Sequence, residues 1–167
     1  DPNASLNPRK TVVDLIGEAP VAHKMISANH KAEFVAELLQ KVGLSSTVMN
    51  RYPHQFSGGM RQRVVIALAI AAEPELIIAD EPVSALDVSV QAAIVDLLGE
   101  LRKSLGLAML FVTHNLPLVR SIADEVAVMS QGRIVELGSA ESVIGSPHED
   151  YTRRLITATP SIARSMA

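Results

Sequence analysis

The sequence predicts an α/β fold in which a helical part comes first and strands alternating with helices follow. Up to residue 73 the apolar residues recur at helical spacing. Beyond Pro74 short continuous apolar runs alternate with an amphipathic helix, which is typical of a layered α/β domain. Of the 167 residues, 48% are hydrophobic and 3% aromatic, so we expect an aliphatic core of ordinary size.

The helical part is predicted to follow an irregular opening of about 30 residues. Three prolines interrupt that opening, so only one helical turn is expected within it. Beyond it, Gly43 is a natural helix stop, and Pro74 ends the last helix of this part. The predicted helices are one turn at 12–16, a helix at 31–42, a short helix near 46–52 and a longer one at 57–72.

The α/β part is predicted from two apolar runs, 75–79 and 108–112. The first is typical of a parallel strand that is buried on both faces, and the second is predicted as another apolar strand. A long amphipathic helix at 88–105 separates them. The other predicted elements are a helix capped by Asn115, a hairpin of 125–129 and 133–137, and a helix that begins at Pro147 with the capping-box spacing of Ser146 and Glu149.

Composition excludes several classes of protein. Fifteen Lys and Arg against 18 Asp and Glu give a net charge of −3, which offers no electrostatic reason to expect nucleic-acid binding. The chain has no Cys, which excludes disulfide scaffolds and Cys-ligated metal centres within it. The longest apolar run, 64–72, is about half a membrane span. We therefore expect a soluble, cytoplasmic chain.

Two adjacent carboxylates, Asp80 and Glu81, follow the first predicted strand. Parallel sheets place their ligands at this carboxyl edge. One carboxylate suits Mg²⁺ that phosphate oxygens also hold, and the other suits a general base for an attacking water. Taken alone, the pair is better explained as a turn with two solvated acids.

A glycine loop and a histidine are the other candidates. Ser57-Gly58-Gly59 precedes a predicted helix, and such backbone N–H groups can bind an anion, although a turn with Ser57 as N-cap is the simpler explanation. His114 follows the second strand as Asp80 follows the first, so His114 and Glu81 would share one rim of a parallel sheet. A lone histidine is more often a surface residue.

The order of these motifs changes the interpretation, because together they resemble the ATP-binding cassette (ABC) ATPases. The signature loop differs mildly from its usual form, with Phe56 for Leu and Met60 for Gln. The segments 1–9 and 146–153 resemble the peptide and nickel importers of the family. The matching motifs are the signature loop at 56–63, the Walker B strand at 76–82, the D-loop at 84–87 and the switch histidine at Thr113-His114.

The resemblance implies a role for each candidate residue. Asp80 would hold Mg²⁺, Glu81 would polarise the attacking water and His114 would contact the γ-phosphate. Family members form head-to-tail dimers that enclose ATP between two subunits. The residues implied in that dimer are Ser57, Gly58, Gly59 and Met60, which would touch the partner's ATP, and Asp87, which would lie at the interface.

One family motif does not occur in the sequence: no G-x-x-x-x-G-K-[ST] P-loop is found, and no glycine precedes a lysine. By resemblance the Q-loop glutamine would lie immediately before Asp1. We therefore expect the C-terminal portion of a cassette, with a partial P-loop NTPase fold that binds ATP–Mg²⁺ weakly and does not hydrolyse it alone. The predicted divisions are a helical (signature) subdomain at 1–73, part of the RecA-like core at 74–145 and a C-terminal extension at 146–167.

The resemblance implies an ATP-hydrolysing subunit of an importer for dipeptides, oligopeptides or nickel, on the inner face of the cell membrane. Its implied partners are a second ATP-binding subunit, transmembrane permease subunits and, indirectly, a substrate-binding protein, with no nucleic acid. One alternative is an ABC ATPase of DNA repair or translation, which would usually carry coiled-coil insertions or basic arms. The other is a non-catalytic helical interaction module, which leaves the order of the motifs unexplained.

Overall fold

The computed structural model describes residues 2–158, except for the side chains of residues 2, 3 and 117. The chain divides into two compact units, Asp1–Leu110 and Phe111–Ala167. The predicted division into subdomain, core and extension stays a prediction, and residues 159–167 of the predicted extension lie outside the described residues.

The first unit is mainly helical and ends in two strands. Short 3₁₀ turns connect its early helices, at Ala28–His30, Ser46–Val48 and Pro53–Gln55. Its helices and strands are α1 (Pro2–Ser5), α2 (Val12–Ala22), α3 (Lys31–Lys41), α4 (Gly58–Ile70), β1 (Leu76–Asp80), α5 (Val88–Leu105) and β2 (Ala108–Val112), whose last two residues fall in the second unit.

The helices α3, α4 and α5 lie where the sequence predicts them. Their ends follow from the local chemistry: Ser57 caps α4, and Gly43 and Gly106 take the left-handed conformation after α3 and α5, with φ of 71° and 65°. The core of this unit comes from aliphatic side chains of α2, α3 and α4 that pack on one another. The largest fully buried apolar side chains of these three helices are Val12, Ile16, Val35, Leu39 and Val64.

The prediction for the opening residues is wrong, because α2 is an eleven-residue helix and not a single turn. Pro20 lies in its last turn, where the missing N–H costs only one hydrogen bond. Val12, Leu15 and Ile16 are buried, and packing of such a face stabilises a helix more than intrinsic propensity does. The helix predicted near 46–52 is shorter than expected, a 3₁₀ turn at Ser46–Val48.

The strands β1 and β2 pair in a two-stranded sheet and are connected by α5. The Ala108 N–H donates to the Glu75 carbonyl oxygen (2.9 Å), so the starts of both strands lie side by side and the strands run parallel. Burial of β1 on both faces is a wrong prediction, because Leu76 and Ile78 are 53% and 64% exposed whereas Ala79 is buried. Residues 2–158 cover only one face of this strand.

The second unit is built on an antiparallel hairpin. The turn residues Gln131 and Gly132 have φ of 48° and 76°, as a two-residue type I′ turn requires. The partner of Val128 is Glu136 and that of Met129 is Ile134, so Val135 is the extra residue of a bulge in the second strand of the hairpin. The elements of this unit are α6 (Leu116–Ile122), β3 (Glu125–Ser130), β4 (Arg133–Ser139), α7 (Ala140–Gly145) and α8 (Asp150–Ala158).

The last helix begins at Asp150 and not at Pro147, so the predicted capping box is wrong. The cap comes instead from β4, where the Glu136 carboxylate accepts hydrogen bonds from the N–H groups of His148 (2.8 Å) and Glu149 (3.3 Å). A carboxylate at this helix end complements the unpaired N–H groups and the dipole. None of the helices within residues 2–158 is both long and apolar enough to cross a bilayer.

Candidate functional site

Asp80 and Glu81 lie at the carboxyl end of β1, on the wall of a cavity in the first unit. The cavity measures about 290 Å³ and is also lined by Gln62 of α4 and by residues 82 and 84–86. Asp80 is exposed and Glu81 is half-buried. Since a water molecule takes up about 30 Å³ in the liquid, several waters or a phosphate group fit beside the two carboxylates.

The backbone of Glu81 is held in an uncommon conformation. Its φ of 47° lies in the left-handed region, which costs a non-glycine residue about 1–2 kcal/mol. The next turn holds it there, because the Glu81 carbonyl oxygen accepts hydrogen bonds from the N–H (3.4 Å) and the hydroxyl (3.2 Å) of Ser84. Such strain is concentrated at functional sites, and here it sets the direction of the Cα–Cβ bond of Glu81.

The glycine loop begins α4. Ser57 is the N-cap, and its Oγ accepts a hydrogen bond from the Met60 N–H (3.4 Å). A Cβ atom on Gly59 would lie 2.6 Å from Cγ1 of Val90, and one on Gly58 would lie 3.3 Å from Cδ2 of Leu86. The glycines therefore allow the start of α4 to pack closely on the segment that follows β1. Contact of Ser57, Gly58, Gly59 and Met60 with ATP stays a prediction.

The D-loop segment is fixed at its junction with α5. Asp87 is the exposed N-cap of α5, and its carbonyl oxygen accepts hydrogen bonds from the N–H groups of Val90 (2.9 Å) and Gln91 (2.8 Å). The Gln91 side chain donates in turn to the Leu86 carbonyl oxygen (2.9 Å). The structure thus brings Asp80, Glu81, the signature loop and the D-loop together in one unit.

The sequence prediction gave no role to Gln62 or to Gln91. Gln62 follows Gly58 by four residues, so the two lie on one face of α4, and this spacing is the signal that could have identified it. No comparable signal identifies Gln91, whose partner is a backbone carbonyl.

His114 belongs to the second unit, where it is exposed and follows β2. Next to it, the Thr113 hydroxyl accepts a hydrogen bond from the Asn115 N–H (3.1 Å), and α6 begins at Leu116. His114 therefore has the position at a strand end that the sequence predicts. Its sharing of a rim with Glu81 stays a prediction.

The cavity offers the single carboxylate ligand that nucleotide-bound Mg²⁺ requires. Within residues 2–158 no group of three or more His, Asp or Glu is arranged to hold a metal ion. Mg²⁺ that is bound to a nucleotide needs only one or two protein carboxylates, since phosphates and water complete its octahedron. The exposed Asp80 carboxylate on the cavity wall meets this requirement.

Comparison with known proteins supports the family that the motifs predict. The family model described as ABC transporter matches residues 2–84. The chain is 50% identical over 161 residues to the oligopeptide transport ATP-binding protein OppF of Bacillus subtilis. The aligned region covers 96% of this chain and 53% of that protein. This chain belongs to the ABC transporter family.

Other members of the ABC transporter family extend the comparison. The dipeptide transport ATP-binding protein DppF of Haemophilus influenzae is 43% identical over 166 residues, covering 99% of this chain and 51% of that protein. The solved structure of cbiO1 from Clostridium perfringens, part of the ABC transporter complex cbiONQ, superposes with a TM-score of 0.78 at 29% identity, over 87% of this chain and 57% of that chain. The predicted α/β, partial P-loop NTPase fold is thereby confirmed, and the chain spans about half the length of these relatives.

Proposed function

We propose that this chain supplies the signature loop, Walker B strand and D-loop of an ATP-binding subunit that hydrolyses ATP to energise peptide import. The observation that carries the proposal is the cavity at the end of β1, where the Asp80–Glu81 pair lies beside the D-loop turn and the signature helix. The order of these motifs and the 50% identity to an oligopeptide transport ATP-binding protein support it.

In the proposed reaction Glu81 acts as the general base. It accepts a hydrogen bond from a water molecule and takes its proton while the water oxygen bonds to the γ-phosphorus and the bond to ADP breaks. The left-handed backbone of Glu81 and its anchor to Ser84 fix the direction in which the Glu81 side chain leaves the backbone. The products are ADP, inorganic phosphate and one proton.

Asp80 and His114 take supporting roles in this proposal. The Asp80 carboxylate would hold Mg²⁺, which neutralises charge on the β- and γ-phosphates when it is bound. His114 would donate a hydrogen bond to a γ-phosphate oxygen, as an imidazole N–H can. Neither residue needs to move a proton for hydrolysis to proceed.

The signature loop and Asp87 would act across a dimer of ATP-binding subunits. The N–H groups at the start of α4 suit an anion, so Ser57, Gly58, Gly59 and Met60 would contact ATP that is held by the P-loop of the partner subunit. The sequence contains no P-loop, so we expect the 167-residue chain alone to bind ATP–Mg²⁺ weakly and not to hydrolyse it.

Transport requires further partners. A peripheral subunit on the inner face of the cell membrane would dock on transmembrane permease subunits, and a substrate-binding protein would deliver the cargo. Residues 1–30 are our candidate for the permease contact, as the resemblance places them beside the Q-loop. Peptides are favoured over nickel as the cargo, because the relatives described above are oligopeptide and dipeptide transport proteins.

Uptake in proteoliposomes tests this function. The full-length subunit that carries this chain is reconstituted with its permease and binding protein, and uptake of a labelled oligopeptide, a dipeptide and Ni²⁺ is compared. We expect ATP-dependent peptide uptake that Glu81→Gln abolishes and Glu100→Gln, an exposed site on α5, leaves intact. Uptake of Ni²⁺ alone, or peptide uptake that survives Glu81→Gln, would contradict the proposal.

A further inference from the structure

Gln62 is the one polar side chain among the described residues of the first unit that is almost completely buried, at 6% exposed. It lies on α4, one turn after the signature glycines. Burial of an amide is unfavourable unless hydrogen bonds replace those it made with water. A buried glutamine therefore marks a place where a polar partner is needed.

Polar side chains line the cavity on which Gln62 lies. Gln62 lines it together with Asp80, Glu81 and Ser84. A volume of about 290 Å³ with polar walls holds several waters, and an amide can donate to one water and accept from another. Water in the cavity can thus connect the Gln62 amide to the acidic end of β1 about as well as a direct hydrogen bond does.

Apolar contacts at the start of α4 fix how this helix lies against the D-loop and the cavity. Gly58 and Gly59 hold the start of α4 against Leu86 and Val90, so the same face of α4 touches both the D-loop and the cavity. A small rotation of α4 would then displace the Gln62 amide relative to Glu81.

We propose that Gln62 is a positioning residue, which links the signature helix to the acidic end of β1 within one chain. The inference rests on the proposed ATPase function. Its consequence is that engagement of the signature loop by ATP changes the orientation of Glu81 in the same subunit.

Substitution in the full-length subunit tests the link. Gln62→Met keeps the length and volume of the side chain but removes the amide, and Gln40→Met makes the same change at an exposed site on α3. For Gln62→Met we expect kcat for ATP to fall about 10-fold with KM within about twofold, because Glu81 is misplaced while ATP still binds. We expect Gln40→Met to retain both constants.

A second variant distinguishes positioning from packing. Gln62→Asn keeps the amide but is one methylene shorter, whereas Gln62→Met keeps the volume without the amide. We expect Gln62→Asn to retain more of the wild-type kcat than Gln62→Met, because water in the cavity can still reach its amide. A purely structural role would give the opposite order, since Gln62→Asn leaves a small void that Gln62→Met fills.

Hydrogen exchange of residues 81–87 gives a readout that does not depend on activity. We expect exchange there to be about 10-fold faster in Gln62→Met than in wild type or Gln40→Met. Unchanged exchange and kcat in Gln62→Met, or a higher KM with unchanged kcat, would overturn the inference. If wild type shows no ATPase that depends on Glu81, the proposed function fails, while the exchange rates still decide the role of Gln62.

Discussion

Gly59 shows how one residue of the candidate site serves the fold. The space that a Cβ would need is already taken by Val90, at 2.6 Å from Cγ1. Real Cβ atoms do not approach another carbon so closely, and valine has little rotamer freedom with which to move away. The glycine is therefore required by packing, whatever it also does for a nucleotide.

A pair of glycine substitutions tests this requirement. We expect Gly59→Ala to destabilise the chain by about 1–3 kcal/mol through overpacking. Gly99→Ala, in the middle of α5 with open space around its Cβ position, should instead stabilise by about 0.5–1 kcal/mol. Urea denaturation measures both, and Val90→Ala in the Gly59→Ala background should restore part of the loss. Equal effects of the two single changes would contradict the packing argument.

The sequence allows the residues of the candidate site to be proposed, but it does not predict what those residues contact. Asp80 and Glu81 could be singled out because two acids directly after an apolar strand are unusual. The contact between Gly59 and Val90 could not, because it depends on how α4 and α5 pack, and that packing leaves no local pattern in either helix.

At the scale of elements, Glu136 is the clearest case of a long-range cap. The Thr152 side chain and then the N–H groups of His148 and Glu149 lower the pKa of Glu136 below its ordinary value of 4.5. A lowered pKa in the folded chain means that the ionised carboxylate stabilises the fold. That contribution is present above about pH 4.5 and is lost as the pH falls through the folded-state value.

The pH dependence of the start of α8 tests this cap. We expect Glu136→Gln to reduce Tm at about pH 7 and to shift the amide signals of His148 and Glu149, with the difference in Tm shrinking as the pH falls below about 4.5. Glu125→Gln, which removes an exposed carboxylate from β3, is the control. A constant difference between Glu136→Gln and wild type across this range would show that the charge of Glu136 has no part in holding α8.

The accuracy of the element predictions follows from how local their causes are. The bounds of α5 and β2 were predicted correctly, because Gly106 and the apolar run at 108–112 define them locally. The start of α8 was predicted wrongly, since its cap is supplied by Glu136 from β4. The length of α2 was underestimated for a related reason. Packing of its buried face against other helices stabilises α2, and the local sequence does not show that packing.

At the scale of the molecule, the strand β1 exposes apolar side chains. Leu76 and Ile78 of β1 are more than half exposed, and within residues 2–158 β1 has β2 as its only paired neighbour. An unpaired strand edge with apolar side chains favours pairing with another chain.

Light scattering tests this tendency directly. We expect the 167-residue chain to self-associate as its concentration rises, and Ile78→Lys to reduce the association because a charged side chain disfavours edge pairing. Val88→Lys, at an exposed valine of α5, should have a smaller effect. A wild-type chain that stays monomeric at high concentration would refute the prediction.

The central claim is that Glu81 is the base that activates water for ATP hydrolysis in the subunit that carries this chain. The most direct measurement is steady-state ATPase activity of the full-length subunit with Glu81→Gln, beside Glu100→Gln as control, with ATP binding measured in parallel. We predict that Glu81→Gln lowers kcat at least 100-fold while ATP binding is retained, because only the proton acceptor is lost. Hydrolysis by Glu81→Gln at the rate of the control would contradict the claim.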